Sequence, residues 1–178
     1  LSIMESNKTP LTLKRLRKIM SQFGPNLRIN RPSPFGRTFL VECICANYVD
    51  ERVILRCIKE LVERHGANPD VITTGEQPEQ ADRAALFFAV ARVMPSVIKF
   101  LLEVGASTSQ QIAGRFRLVS DPSKSIRGTF SPLSFGIALR EAEFALRKQD
   151  GGYKLPQHYG CKFNHCVSIL YQSHTQEG

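Results

Sequence analysis

Arg83-Ala84-Ala85-Leu86-Phe87-Phe88-Ala89, followed by Val97-Ile98-Lys99-Phe100-Leu101-Leu102-Glu103 and then Gly105-Ala106-Ser107, is the stretch on which the reading of this chain turns. It reads as a short helix, a tight turn and a second amphipathic helix that stops at a glycine, the commonest residue just past a last helical turn. Two further segments share the layout. The first runs Gly36-Arg37-Thr38-Phe39-Leu40, then Val53-Ile54, Cys57-Ile58 and Leu61-Val62, and ends at Gly66-Ala67-Asn68-Pro69. The third runs Ser131-Pro132-Leu133-Ser134-Phe135-Gly136, then Ala142 to Leu146, and ends near Gly152.

Length and charge bound what such a chain can be. The 178 residues suit one domain or little more. With 42% in the hydrophobic class the chain has enough apolar material for a core, which excludes a wholly disordered polymer. No apolar run approaches the roughly 18 residues of a spanning helix, so no membrane insertion is expected. Leu1-Ser2-Ile3-Met4 has neither the basic nor the long apolar region of a signal peptide, and a start without Met suggests a fragment or processed chain. Five cysteines, Cys43, Cys45, Cys57, Cys161 and Cys166, form no regular framework, which points to a reducing, intracellular compartment, cytoplasmic or nuclear. The net charge of +8 favours acidic proteins, nucleic acid or anionic surfaces without choosing among them.

The three segments resemble ankyrin repeats, whose T-P-L-H-x-A signature opens a helix pair that closes on a Gly-Ala turn, with a period of about 33. About 19 residues separate the Leu of that signature from the Gly of the turn, and Leu86 to Gly105 and Leu133 to Gly152 both span 19. Leu40 to Gly66 spans 26; the seven extra residues are close to two helical turns, so a second helix lengthened at its start would keep its apolar stripe. A loop over Val71–Ala81 and an insertion of fourteen within Thr108–Thr129 carry the remaining excess over the family period. The signature itself has drifted to Thr38-Phe39-Leu40-Val41, Ala84-Ala85-Leu86-Phe87 and Ser131-Pro132-Leu133-Ser134, without its histidine. The resemblance implies an all-α, short ankyrin-like solenoid of three to four helix-turn-helix repeats, at about 34–70, 80–107 and 127–153, with an N-terminal capping helix and linker over 1–30. The competing reading is an unrelated helical bundle whose helices end in glycine.

At the N-terminus Thr9-Pro10 suits a helix start, Leu13, Leu16, Met20 and Phe23 mark one apolar face, and Gly24-Pro25 stops it. The basic run Lys14-Arg15-Leu16-Arg17-Lys18 reads as its solvated face or as a nuclear-import or phosphate-binding patch. After Gly152, residues 153–178 read as a degenerate fourth repeat or C-terminal cap, with Val167 to Tyr171 as a terminal helix. His158, Cys161, His165 and Cys166 invite a zinc reading, but their spacing lacks a C-x-x-C pair, so neither metal nor other cofactor is expected. The chain has no P-loop, dinucleotide turn, H-E-x-x-H or G-x-S-x-G, and no catalytic residue is assigned.

A stack of this kind offers a surface instead of a reaction centre. The resemblance places Arg37, Arg83, Arg92 and Arg127, with Phe130, along a basic concave strip. Gln110 to Val119 alternates Arg115 and Arg117 with Phe116 and Leu118 at a strand-like period of two, and Ser120-Asp121-Pro122-Ser123 reads as a turn. Either this finger pairs its apolar side with a partner, or it folds back so that Phe116 and Leu118 cover the core and leave the arginines in water. The expected activity is non-catalytic: an ankyrin-repeat scaffold or adaptor holding an acidic protein segment, or an acidic neighbouring domain of its own parent chain. Nucleic-acid binding as an accessory subunit of a ribonucleoprotein or chromatin complex is the second expectation.

Overall fold

The computed structural model describes residues 11–23, 28–34, 36–47, 49–73, 83–118, 121, 123–149 and 157–176; of 147–149, 157–159 and 176 it describes the backbone alone. In order, the elements are α1 (Leu13–Phe23), α2 (Phe39–Ile44), α3 (Glu51–Lys59, prolonged by a π-helical turn over Glu60–Arg64), α4 (Ala85–Ala91), α5 (Pro95–Glu103), β1 (Ile112–Arg117), β2 (Ser125–Phe130), α6 (Pro132–Gln149) and α7 (Gln157–Gln176). The chain divides into two compact units, Leu1–Phe88 and Ala89–Gly178, and the division falls within α4.

In the first unit α1, α2 and α3 each start on a side-chain cap. The Oγ1 of Thr12 accepts from the Arg15 backbone N–H, that of Thr38 from Val41, and the Asp50 carboxylate from Arg52, which satisfies donors that the first turn leaves open. The expected start at Thr9-Pro10 and stop at Gly24-Pro25 lie outside the described residues. Leu16 and Met20 of α1 are buried, and α1 packs on α3. On α3 and its π-turn the residues Ile54, Cys57, Ile58 and Leu61 fall at i, i+3, i+4 and i+7, one helical face, and all four are fully buried.

The second helix of each of the first two expected repeats ends in the same way. Gly66 and Gly105 have φ of +66° and +86°, a region closed to most side chains, and the alanine after each is buried. The Ala106 N–H bonds back to Leu101 O at 2.9 Å and Gly105 N–H to Leu102 O at 3.0 Å, the paired bonds of a Schellman cap. At the other end Ala67 N–H reaches Leu61 O, one residue further back, because the π-turn has inserted a residue. Asn30 clamps that turn, donating to Gly66 O and accepting from the Asn68 N–H. The turn from α4 to α5 uses the same cap with Val93 in the glycine position at φ +55°, its Val90 and Ala89 bonds in place.

The expectation of an all-α ankyrin-like solenoid is overturned. Ile112–Arg117 and Ser125–Phe130 form a two-stranded antiparallel sheet in the middle of the chain. The third helix-turn-helix repeat is also absent: Pro132–Gln149 is one helix of 18 residues with no turn between Gly136 and Ala142. Of the region read as a degenerate fourth repeat or C-terminal cap, the described part is one unbroken helix of 20 residues, Gln157–Gln176, which contains the terminal helix expected over Val167 to Tyr171 and in which Gly160 is helical. The physical reason is that Gly136 lies where two helices approach. A Cβ there would meet Val90 Cγ1 at 3.4 Å, Leu170 Cδ1 at 3.5 Å and Val167 Cγ2 at 3.7 Å, ordinary contact distances, so this glycine is an interior helix position at the contact of α6 with α7 and ends nothing. Ser131 caps α6 reciprocally with Ser134, each backbone N–H donating to the other's hydroxyl, and Pro132 occupies the first helical position.

Candidate functional site

The hairpin is the part of the second unit that most clearly separates an inner from an outer surface. The register pairs Ile112 with Phe130, Gly114 with Gly128, Arg115 with Arg127 and Arg117 with Ser125. Because side chains alternate, Ile112, Phe116, Ile126 and Phe130 share one face, and Ala113, Arg115, Arg117, Ser125, Arg127 and Thr129 share the other. Burial follows that division: Ile112 and Phe116 are buried, whereas Arg115, Arg117 and Arg127 are exposed.

The inner face is held by three rings. Phe116 meets Phe130 at 5.7 Å and Phe135 of α6 at 4.9 Å between centroids, both edge to face, and Phe130 lies 5.8 Å from Phe135. The glycine pair makes room for them: a Cβ on Gly128 would stand 2.9 Å from Phe130 Cζ. Leu118, just past β1, is buried as well. Of the two expectations for this finger, the structure therefore has the folded-back one, with the apolar side chains covering the core of their own unit and the arginines turned toward water.

The six residues of the outer face include three arginines and no acidic residue. Arg115 Nε donates to the Ser125 hydroxyl at 2.7 Å, which fixes one guanidinium diagonally across the ribbon. Neither Arg115 nor Arg127 is in an ion pair with a described residue. At the turn end Lys124 is exposed and Asp121 is engaged within its own loop, accepting from the Ser123 hydroxyl at 2.6 Å and the Ser123 N–H at 3.0 Å; these bonds hold its carboxyl below the usual range.

The remaining arginines of the expected strip belong to other segments of the chain. Arg37 and Arg83 belong to the first unit, where both are half-buried and Arg83 lies over the Phe88 ring at 6.0 Å. Arg92 is half-buried in the α4–α5 turn of the second unit. What the structure brings together is Arg115, Arg127 and Arg117, with Phe130 beneath them on the opposite face. Sequence reasoning missed β2 altogether, although Ile126, Gly128 and Phe130 alternate with Arg127 and Thr129 at the same period of two that marked β1.

The other chemical candidates do not converge. On α7 Cys166 is fully buried, while Cys161 and His165 are exposed on another side; the side chain of His158 lies outside the described residues. Among the described residues no group of three or more His, Cys, Asp or Glu is placed to hold a metal ion. Cys43 and Cys57 are buried, and burial raises both thiols, Cys57 to about 11, with the Glu60 carboxylate adding to it. They stay protonated and inert. A cleft of about 440 Å³ between α5 and α7 is lined by Lys99, Glu103, His165 and Gln172 among others, but Lys99 and Glu103 already face each other at 4.0 Å. No described helix is long and apolar enough to cross a membrane. No family model and no curated protein matches the chain.

Proposed function

We propose that this chain is a non-catalytic interaction module that holds an acidic protein segment on the outer face of the β1–β2 hairpin. The observation that carries the reading is the cluster of Arg115, Arg117 and Arg127 on one face of the hairpin, whose reverse side is held against α6 by three phenylalanine rings. The strand pairing fixes where these three arginines leave the backbone, the Ser125 hydroxyl holds the Arg115 guanidinium, and the planar donor forks suit carboxylates. The field of a chain with a net charge of +8 adds long-range attraction for an acidic partner.

Nucleic acid would be drawn by the same charge. The outer face holds no aromatic side chain on which a base could stack, because Phe116 and Phe130 point the other way, and this favours a protein ligand.

The test is a titration of a fluorescein-labelled peptide of alternating glutamate and valine, against wild type and against the Arg115→Glu, Arg127→Glu double variant. Binding lost on charge reversal, with helical circular dichroism and melting temperature unchanged, supports the reading. Equal binding by both proteins overturns it. Tight capture of a single-stranded RNA that collapses between about 50 and 200 mM salt, with no peptide bound, would assign the face to nucleic acid instead.

A further inference from the structure

The backbone of the hairpin says more than its side chains do. Leu118 N–H donates to Lys124 O at 3.0 Å, which makes 118 and 124 a hydrogen-bonded pair of the antiparallel ladder. With the register fixed, the bonded pairs are then Phe116 with Ile126, Gly114 with Gly128 and Ile112 with Phe130. The alternate residues point their N–H and C=O groups away from the partner strand. On β2 these are Ser125, Arg127 and Thr129, the same residues whose side chains form the basic outer face. The sheet has only two strands among the described residues, and no other described backbone group bonds to these three.

We infer that the free edge of β2 accepts an extended acidic strand, which pairs its backbone with Ser125, Arg127 and Thr129 and sets carboxylates opposite Arg127. This deepens the proposed function and rests on it. The added strand would continue both faces of the ribbon. Its outward positions would meet Arg127 and, one strand further, Arg115, so they should be acidic. Its inward positions would extend the surface begun by Ile126 and Phe130, so they should be apolar. The ligand is therefore a segment that alternates Asp or Glu with aliphatic residues.

Two observations select this edge and this occupant. Across the ribbon, Arg115 is already engaged by Ser125, whereas Arg127 forms no ion pair with a described residue. A second copy of the chain is a poorer occupant, because antiparallel pairing of two β2 edges centred on Arg127 would set Arg127 against itself, and like charges directly opposite are destabilising. The charge thus disfavours self-pairing in that register and favours an acidic strand.

The experiment compares the glutamate–valine peptide with the same peptide N-methylated at alternate amides, which keeps every charge and removes the outward donors. Strand addition predicts that methylation weakens binding about tenfold or more, since several ladder bonds are lost at once. In the full chain, Thr129→Pro removes one outward N–H without touching the β1–β2 ladder, so binding should fall while the melting temperature holds; Thr129→Val should bind as wild type. Bound peptide should slow amide exchange at Ser125, Arg127 and Thr129. Equal affinity for the methylated peptide, or protection at Ala113 and Arg115 instead, overturns the inference and leaves the proposed function standing. No binding of either peptide overturns both. Dimerisation of the chain with protection of the same three amides would give the edge to a second copy and equally overturn the acidic occupant.

Discussion

The α4–α5 pair stops at a glycine, and α6 runs straight through one. Gly105 has φ +86° and open space for 4 Å around the point where a Cβ would stand, so its role is conformational; Gly136 has an ordinary helical backbone and three side chains at ordinary contact distance, 3.4–3.7 Å, from that point, so it marks a helix contact that a methyl group would also fit. The two regions teach that a glycine in an apolar, helix-forming stretch carries two unrelated meanings. Which one applies depends on what packs against it, and that is a tertiary fact.

The largest effects should come from the ring cluster that belongs only to the second region. Phe135→Ala is expected to cost about 3–5 kcal/mol, and Leu101→Ala on α5 about 2–5 kcal/mol, from lost burial and the cavity left behind. Chemical denaturation reads both. If Phe135→Ala cost only a few tenths, the hairpin would not be seated on α6, and the rigid base of the proposed site would be lost.

A sharper comparison comes from the same substitution at the two glycines. Gly105→Ala should destabilise by about 1–2 kcal/mol, because an L side chain is forced into the left-handed region. Gly136→Ala should stabilise by up to about 1 kcal/mol through helix propensity, since its new methyl makes ordinary contacts. Equal signs in a thermal melt would break the contrast.

These cases show how much is legible in the sequence. Helix ends are, where the signal is local: Gly66-Ala67 and Gly105-Ala106 close their helices in nearly the same conformation, and Thr38 caps α2. The buried stripe Ile54, Cys57, Ile58 and Leu61 is also legible, because helical period and burial coincide there. The interval from Leu133 to Gly152 misleads, since an uninterrupted helix fills the same length as a helix pair, and nothing local says that Gly136 touches Leu170 and Val167. The arginines of β1 are legible as an alternating face. Arg127 reads from sequence as part of a helical stack, because pairing with Arg115 is a contact across a turn that no short-range signal announces.

Val93 tests the middle ground, a glycine position without glycine. Val93→Gly should relieve about 1–2 kcal/mol of left-handed strain and forfeit about 1.5–3 kcal/mol of burial. A small net loss in urea denaturation is expected, and a loss above both figures would mean that the turn is not strained.

The smallest effect is expected from acid. Glu60, in the π-turn, accepts two bonds from Arg17 at 3.0 Å and faces Arg64 at 3.4 Å; the Arg17 bonds hold its carboxyl below the usual range. That contribution is complete above the unfolded value of about 4.3 and fades as pH drops through the lower folded value. Amides of α1 and α3 should lose exchange protection on acidification before those of α7, which has no carboxylate side chain.

Thr73 and Arg83 form a clasp: the Thr73 N–H donates to Arg83 O at 3.1 Å and its hydroxyl to the same oxygen at 2.9 Å. Thr73 is almost wholly buried and Arg83 half-buried, so this knot closes partly out of reach of water. Whatever lies between the two residues begins and finishes at one fixed point. The closure cost of chain added between them would grow only slowly with its length, about 0.6 kcal/mol for each doubling.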